Sequence, residues 1–475
     1  MIEIILVAVP LLAGGVCLFL RGRNFAVRLV LLVAALLHAA AAVVLLSGVF
    51  DWVTVGVFNE WLEADKLSKV FLAIVSFLFL CACAQGFSWL PYSLKYEQAE
   101  GEPMAVHLFG GALALFAATM SLAVLAKNFG LLWVAVEATT LASAPLIMFH
   151  RSKGALEAMW KYLLICSVGI GLALFGTFML EIALRNSDGS APGLSFAALG
   201  KDGLTVHTDW FKAAFVFCFA GYGLKMGLAP FHFWLPDAHS EAPSMVSVML
   251  SGALLNCSFL AIIRVMNIAP AELHEFCCEL LVCFGVLSLA AAAVFMIKQK
   301  DFKRMLAYSS CEHMGLLAIF WGIGACETGL LHMGVHSLLK MMLFLTAGNI
   351  LMAYGSRKIA VISGMFSVLP KNALLWLSGI ILICGMPPSP LFITEYRLIM
   401  AAGGILGAVV LILLFVVFAA MTSAALKMTT GSCHENVIKN DADKAAEELA
   451  VLPLCLLGAA IAAGILLICR EAGMI

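Results

Sequence analysis

Residues 221–243, "GYGLKMGLAPFHFWLPDAHSEAP", follow a long apolar run and combine a lysine, three prolines, two histidines and two carboxylates. Lys225 lies near the end of the apolar run, and Pro230 follows it closely. A proline inside a helix removes a backbone donor and breaks the hydrogen-bond ladder. The stretch therefore predicts a buried helix that carries a charge and is interrupted beside it.

The rest of the chain is strongly apolar. Of its 475 residues, 63% are hydrophobic and only 12% are charged, and the mean hydropathy is +1.04. A soluble domain cannot cover so much apolar surface. The formal net charge of −1 gives no reason to expect a nucleic-acid partner. The composition predicts an all-α polytopic protein of the lipid bilayer.

The fifteen cysteines lie in apolar segments without the paired CxxC spacing of zinc or iron–sulfur sites. We expect them to be small buried hydrophobes, and we expect no cofactor and no metal. The N-terminal apolar run has no basic region before it and is too long for a signal peptide. It is therefore predicted to be a retained first span.

A helix needs about 20 apolar residues to cross the bilayer, which predicts about fourteen spans here. They lie at 2–20, 26–48, 67–88, 105–126, 129–149, 160–184, 211–232, 242–266, 277–297, 305–324, 329–353, 372–400, 402–426 and 449–469. Helices 7 and 12 are expected to be broken, by Pro230 and by the prolines of "GMPPSP".

Interrupted helices in corresponding positions are typical of inverted repeats. The predicted division of the chain has four parts: 1–104 with helices 1–3, 105–268 as a first repeat with helices 4–8, 269–426 as a second repeat with helices 9–13, and 427–475 with a cytoplasmic connector and the last helix.

Lysine and arginine are concentrated in the loops that follow odd-numbered spans, and such loops tend to face the cytoplasm. They include Arg21, Arg23, Arg28, Arg151, Lys153, Lys298, Lys300, Lys303, Arg304, Arg357, Lys358, Lys371, Lys439 and Lys444. The pattern predicts an inner-membrane protein with both termini on the periplasmic side. It also puts 235–243 at a cytoplasmic mouth and makes 431–448 a solvated stretch.

Ionisable residues inside spans are the most informative feature, because each costs about 2.5–3.5 kcal/mol and usually marks an ion path or proton relay. Glu137 lies within span five and Lys225 within span seven. Two interpretations stay open for them: a static buried pair of opposite charges, or a pair whose separation and approach switch a proton.

A second group lies further along the chain. His332, His336 and Lys340 are spaced by four residues and so share one helix face, His313 belongs to the preceding span, and Glu395 follows the proline break. Two histidines at this spacing can bind zinc, but no carboxylate or cysteine completes the set nearby and Lys340 would repel the cation. A proton relay is therefore favoured.

Three further polar side chains follow Lys225 in the sequence. His232 follows Pro230 and is a candidate relay, whereas Asp237 and His239 either guide protons at the mouth or are solvated loop residues. Arg264 and Lys127 lie near span ends and are expected to extend their charges to the membrane surface.

"KMGLAPFHFWLPDAHSEAP" resembles the signature around the broken seventh helix of the antiporter-like subunits shared by respiratory complex I, the Mrp sodium/proton antiporters and membrane-bound nickel–iron hydrogenases. "DFKRMLAYSSCEHMG" is similar to the signature at the tenth helix. The resemblance covers about residues 105–426. "SSCEHMG", "LTAGNILMAYGSRKI" and "GMPPSPLF" are most similar to component F of hydrogenase-4 and formate hydrogenlyase-type complexes.

The resemblance implies roles for the buried residues. Glu137 and Lys225 would be the acid–lysine pair, and Lys340 would be the lysine of the second half. His232 and His313 would belong to a water chain, and Glu395 would be the terminal carboxylate. Complex I members often carry a lysine in span eight, where this chain has Asn256, so water or histidine is expected to bridge the two halves.

The leading hypothesis is a proton-translocating subunit, without a redox centre, of a redox-driven complex. The implied partners are other membrane subunits and a peripheral arm of iron–sulfur and nickel–iron proteins. One alternative is a subunit of an Mrp-type antiporter that exchanges protons for sodium. The other is a membrane anchor that transports nothing.

Overall fold

The computed structural model describes residues 2–48, 61–96, 102–201, 203–431 and 441–471. Most of these residues are helical. The helices are α1 Ile2–Phe19, α2 Asn24–Ser47, α3 Lys66–Tyr96, α4 Val106–Leu125, α5 Phe129–Ile147, α6 Lys153–Ala183, α7 Phe196–Leu199, α8 Thr208–Met226, α9 Trp234–Glu241, α10 Ser244–Met249, α11 Leu255–Asn267, α12 Ala271–Met296, α13 Phe302–Gly322, α14 Cys326–Tyr354, α15 Met365–Val368, α16 Pro370–Ile383, α17 Pro390–Ala402, α18 Gly404–Thr429, α19 Asp441–Glu448 and α20 Val451–Glu471.

Two small elements complete the fold. A π-helical turn, Leu250–Leu254, joins α10 to α11 so that 244–267 forms one continuous helix. The strands β1 Leu184–Arg185 and β2 Thr205–Val206 pair antiparallel within the connector between α6 and α8. The expectation of an essentially all-helical chain is confirmed.

Eleven helical segments among the described residues are long and apolar enough to cross a membrane. The structure is therefore a multi-pass membrane protein, as its composition predicts. Helix α8, helix α13 and the interrupted pair α16–α17 coincide with the three other predicted spans. The total of fourteen spans and the division into two inverted repeats stay predictions.

The seventh predicted span is broken, and a glycine ends its first half. Helix α8 stops at Met226 because Gly227 adopts a left-handed conformation (φ +83°), and its N–H caps the last-turn carbonyls. The indole of Trp234 then donates to the Leu224 carbonyl at 2.9 Å. The continuation to Glu241 is helix α9, so the expectation of a loop at 235–243 was wrong.

The twelfth predicted span is broken in the same manner. Helix α16 ends at Ile383, and Gly385 turns the chain with φ +70°. Pro390 is the first residue of α17, where its missing N–H is not needed. A side chain at Gly464 of α20 would overlap the Pro388 carbonyl, so α20 packs directly against this break.

The C-terminal connector docks onto the helices. Residues 432–440 lie outside the described residues, but α19 is not fully solvated as 431–448 was expected to be. Asp443 and Ala446 are buried, and Glu447 accepts hydrogen bonds from the Asn372 backbone and side chain at 3.3 and 3.2 Å. The connector thereby joins the last helix to α16.

The two cations expected to extend into water are instead paired. Arg264 donates to both carboxylate oxygens of Asp65, at 2.5 and 2.9 Å, and Lys127 lies 3.1 Å from Glu63. Burial by itself would raise the pKa of the Asp65 carboxyl, but hydrogen bonds from Arg264 and Ser68 outweigh it and hold that pKa below its usual range. These contacts join α3 to the end of α11.

Candidate functional site

Lys225 is completely buried in the last turn of α8, against α5. Its ammonium donates a short hydrogen bond to the Thr140 hydroxyl and a longer one, 3.4 Å, to the Val136 carbonyl. The ring centre of Tyr162 is 5.5 Å away and adds a cation–π contact. Neutral oxygen atoms and an aromatic face therefore hold this buried charge.

Glu137 does not contact Lys225 directly. Its carboxylate accepts from the Thr140 hydroxyl at 3.2 Å and from the Ser167 hydroxyl at 2.9 Å, and no ion pair with Lys225 occurs among the described residues. The hydroxyl of Thr140 donates to Glu137 and accepts from Lys225. Thr140 therefore stands between the two charges, and both interpretations of the pair, static or switching, stay open.

Thr140 is a site residue that was not singled out from the sequence. It lies three residues after Glu137, so the two side chains share one face of α5. Polar residues one turn away from a buried carboxylate are the signal that would have identified it.

Glu137 lies at the edge of the molecule. Its side chain is partly exposed, and Ser167 beside it is exposed. The residues around them are apolar and 50–65% exposed, namely Val134, Leu141, Leu164 and Val168. A carboxylate on an apolar membrane-facing surface is costly in lipid. This end of the site is accordingly the part that a neighbouring subunit can reach.

Asn256 lies between the two groups of ionisable residues. Its amide donates to the Gly252 carbonyl at 2.6 Å and to the Ser337 hydroxyl at 3.0 Å. Ser337 belongs to α14, one turn before Lys340. The amide oxygen of Asn256 is buried and has no partner among the described residues. A polar contact thus connects α11 to α14.

Lys340 is the second completely buried lysine, and it too lacks a direct ion pair among the described side chains. Its ammonium donates to the Leu306 carbonyl at 2.6 Å. Glu312 of α13 is 3% exposed and interacts electrostatically with Lys340. Glu312 was overlooked in the sequence, although it directly precedes His313 in a buried span and should be counted with the other intramembrane charges.

The three histidines of the second group form one cluster. Nδ1 of His313 and Nε2 of His332 are 3.1 Å apart, and the ring centres of His313 and His336 are 4.7 Å apart. Nδ1 of His332 lies 2.9 Å from the Thr394 hydroxyl. The helical spacing therefore brings His332 and His336 of α14 to the same position as His313 of α13.

Glu395 joins this cluster through tertiary packing. It is 7% exposed, and its Oε1 has no partner among the described residues. Ligand atoms of His313, His332 and Glu395 all lie within 4.8 Å of one another. The conclusion that no carboxylate lies near the histidines was wrong, because α17 packs on α14 and carries Glu395 to them.

A cavity of about 510 Å³ lies near the ends of α9, α13 and α14. Its polar lining includes Glu241, which is 2.7 Å from Arg357, and Lys303, which donates to the Ala242 carbonyl at 2.6 Å. A smaller cavity nearby contains Asp237, which forms ion pairs with Lys161 and Arg304. Asp237 is thus in a paired surface network.

His239 is not a solvated residue, so that alternative was wrong for it. Its ring is completely buried, is stacked on Phe344 with centres 4.9 Å apart, and has two nitrogens without partners among the described residues. It lies within electrostatic range of Lys303 and of Lys340. His239 therefore stands between the larger cavity and the second buried lysine.

His232 is buried near the first break but does not join Lys225. Its ring contacts those of Phe295 and Tyr308, with centres 5.7 and 6.0 Å away, and neither ring nitrogen has a partner among the described residues. The role of His232 as a proton relay therefore stays a prediction.

The sequence profile of the family described as "NADH:quinone oxidoreductase/Mrp antiporter, TM" matches residues 126–422, which include both buried lysines. The chain belongs to this family. It is an antiporter-like membrane subunit of the kind found in hydrogenase, complex I or Mrp-type assemblies.

One relative of this antiporter-like subunit is the "Hydrogenase-4 component F homolog" of Methylacidiphilum infernorum, 36% identical over 352 residues, which are 71% of this chain and 72% of the relative. The fold also resembles a chain of an archaeal membrane-bound sulfane sulfur reductase (TM-score 0.84, 20% identity, 98% of this chain and 94% of that one). A chain of the Mrp complex of Dietzia sp. is similar to the same extent (TM-score 0.82, 20% identity, 98% and 94%). Both likenesses concern the fold alone.

Proposed function

We propose that this subunit carries protons across the membrane along a buried polar path in two halves. The first half is Glu137, Thr140 and Lys225, and the second runs from Lys340 through the histidine cluster to Glu395. One observation carries the proposal: Lys225 and Lys340 are each 0% exposed, and each is held by neutral oxygen atoms instead of a carboxylate. A buried ammonium without a contacting counter-ion is poised to give up its proton, because burial penalises the charged form.

Thr140 couples the two charges of the first half. Its hydroxyl accepts from Lys225 while it donates to Glu137. When a charge in a neighbouring subunit displaces the part-exposed Glu137, the hydroxyl of Thr140 turns with it and Lys225 loses its best acceptor. The lysine then releases a proton toward the middle of the chain, and it regains one when Glu137 returns.

The middle and the second half provide polar steps for that proton. Asn256 and Ser337 contact each other 3.0 Å apart, and Lys340 lies one turn beyond Ser337. Beyond Lys340, His336, His313 and His332 are in ring contact, and the cluster ends at Glu395. Several nitrogens there have no partner in the described part of the chain. Buried polar atoms are nearly always hydrogen-bonded, which supports ordered water as the carrier between these groups.

His239 and the larger cavity provide a second uptake route. The cavity contains Lys303, and His239 lies within electrostatic range of both Lys303 and Lys340. A proton taken up through His239 would reload Lys340 after it has passed a proton to the histidines. We assign this side to the cytoplasm and both termini to the periplasmic side of the inner membrane, following the loop charges.

The driving force would come from partner subunits, because we expect no redox centre in this chain. The likeness to a hydrogenase-4 component F homolog favours a redox-driven complex with iron–sulfur and nickel–iron subunits in its peripheral arm. The partly exposed Glu137 is the point at which a neighbouring membrane subunit would act.

The test is the rate of proton translocation in sealed vesicles that contain the assembled complex. Lys225→Met should abolish translocation, because no other buried group can replace its ammonium beside Thr140. Lys212→Met is the matched control: this lysine is on the same helix, is exposed, and contacts only the Phe276 ring, at 5.6 Å, among the described side chains. Undiminished translocation by an assembled Lys225→Met complex would refute the proposal.

Exchange of protons for sodium is the second candidate. It is favoured by the oxygen atoms around Glu137, since two hydroxyls and a carboxylate are hard ligands of the type that alkali cations prefer. Translocation that requires sodium, in a preparation lacking iron–sulfur or nickel–iron partners, would select this function. The third hypothesis, a non-transporting anchor, requires that Glu137→Gln leave the proton gradient intact.

A further inference from the structure

His313, His332 and Glu395 form a compact group of metal-ligand type inside the protein. They come from α13, α14 and α17, they are 1%, 0% and 7% exposed, and their ligand atoms lie within 4.8 Å of one another. We propose that these three side chains bind a Zn²⁺ ion. The binding site does not depend on the proposed function; only its consequence for transport does.

The distances suit zinc. Two nitrogens at 2.0–2.1 Å from one tetrahedral zinc are about 3.3 Å apart, and Nδ1 of His313 and Nε2 of His332 are 3.1 Å apart. A carboxylate oxygen on the same ion would also be about 3.3 Å from each nitrogen. Since one ligand atom of each of the three side chains already lies within 4.8 Å of the others, a small side-chain rotation of Glu395 completes the set.

The hydrogen bonds around His332 orient it as a ligand. The Thr394 hydroxyl donates to the Leu391 carbonyl at 2.9 Å, so it accepts from Nδ1–H of His332, also at 2.9 Å. His332 therefore keeps its proton on Nδ1 and presents the lone pair of Nε2 to the site. Metal-binding histidines are usually held by such a second hydrogen bond.

His313 and Glu395 supply the remaining two ligands, and any proton on the buried Glu395 carboxyl is released to water when the ion binds. In the metal-free protein His313 donates from Nδ1 to His332, and when zinc binds, that proton moves to the unpartnered Nε2 of the same ring. Oε1 of Glu395 is buried and unpartnered, so its lone pairs are free for the ion. The fourth position stays open for water.

The carboxylate ligand offsets the nearby positive charge. Lys340 repels a cation, and Glu312 lies within electrostatic range of both Lys340 and Glu395, so it offsets that repulsion only when it is ionised. The carboxylate of Glu395 then neutralises half of the zinc charge directly. If the proposed function is correct, zinc bound here fixes His332 and Glu395 and stops translocation through the second half.

The test measures uptake of isotopically labelled Zn²⁺ by the purified, chelator-washed assembly. The exposed pair His274 and Cys278, whose Nδ1 and Sγ are 3.4 Å apart, is first removed by His274→Gln and Cys278→Ser to give a common background. Adding His332→Gln to this background should reduce the bound zinc by one ion per chain. His38→Gln, which replaces a buried histidine bonded to Ser121 elsewhere, should bind as much as the background.

A second variant and a spectrum keep the test decisive if His332→Gln does not assemble. Thr394→Val keeps all three ligands but removes the orienting hydroxyl, so zinc affinity should fall about 10- to 100-fold. X-ray absorption at the zinc edge should show nitrogen and oxygen ligands at about 2.0–2.1 Å.

Equal zinc uptake with and without His332, or a sulfur shell at about 2.3 Å, would overturn the site. Zinc bound with the expected nitrogen and oxygen shell, but with translocation unchanged, would uphold the site and contradict the proposed route through Glu395.

Discussion

Replacing Thr140 with valine should uncouple Glu137 from Lys225 while keeping the side-chain volume. The Lys225 ammonium would retain one acceptor, the Val136 carbonyl at 3.4 Å, and Glu137 would retain only Ser167 at 2.9 Å. A hydrogen bond to a charged group contributes about 1.5–3 kcal/mol. If that interaction is what transmits the displacement of Glu137, its loss corresponds to a decrease of about 10- to 150-fold in translocation rate.

The assay is proton translocation per assembled complex in sealed vesicles, with Thr140→Ser and Thr346→Val as comparisons. Thr140→Ser keeps the hydroxyl and should retain most of the rate. Thr346 is buried in α14, and among the described residues its hydroxyl donates only to the Met342 carbonyl, at 2.8 Å, so its replacement should change little. A Thr140→Val complex that translocates at the wild-type rate would refute the role of Thr140.

Two further predictions concern positioning and stability. Gly385→Ala should lower translocation at least tenfold, because a Cβ at this position would overlap the Glu395 carboxylate and displace it. Gly355→Ala has the same left-handed backbone cost without an overlap, so this control variant should keep the wild-type rate. Equal rates for the two variants would exclude the effect. Asp65→Asn should lower the melting temperature at pH 7 by the equivalent of at most about 1 kcal/mol, because Asp65 is 39% exposed and its pair with Arg264 is screened. The pKa of Asp65 is held below its usual value of about 3.9, so the pair stabilises the fold above that pH, and this stabilisation is lost as the pH falls through the folded pKa. The melting temperatures of the wild-type and Asp65→Asn proteins should therefore converge below about pH 4. A difference that stays constant with pH would contradict this.

The sequence predicted the helices well because hydropathy and length determine which segments can cross a membrane. The proline signals also found both breaks, although the residues at which the helices end are Met226, before Gly227, and Ile383, before Gly385. Segment 235–243 could be interpreted as a solvated loop because hydropathy averaged over a sequence window does not distinguish a charged residue that is ion-paired from one that is solvated. Asp237 is paired, and His239 is buried against Phe344.

The site could be predicted as a set of residue types but not as a set of contacts. Spacing along one helix relates His332 to His336, yet their meeting with His313 and Glu395 depends on how α13 and α17 pack against α14. Likewise, Glu137 and Lys225 were expected to form a pair, but only the packing of α5 on α8 places Thr140 between them. Tertiary contacts of this kind have no signature in a single sequence.

The most direct test of the central claim compares Lys225→Met, Lys340→Met and the double variant in one vesicle assay of ion translocation. If the two buried lysines are steps of one path, each single variant should fall to the background rate and the double variant should be no slower. If each single variant instead keeps about half of the wild-type rate and only the double variant loses transport, the two halves work as separate routes, and the account given above is contradicted.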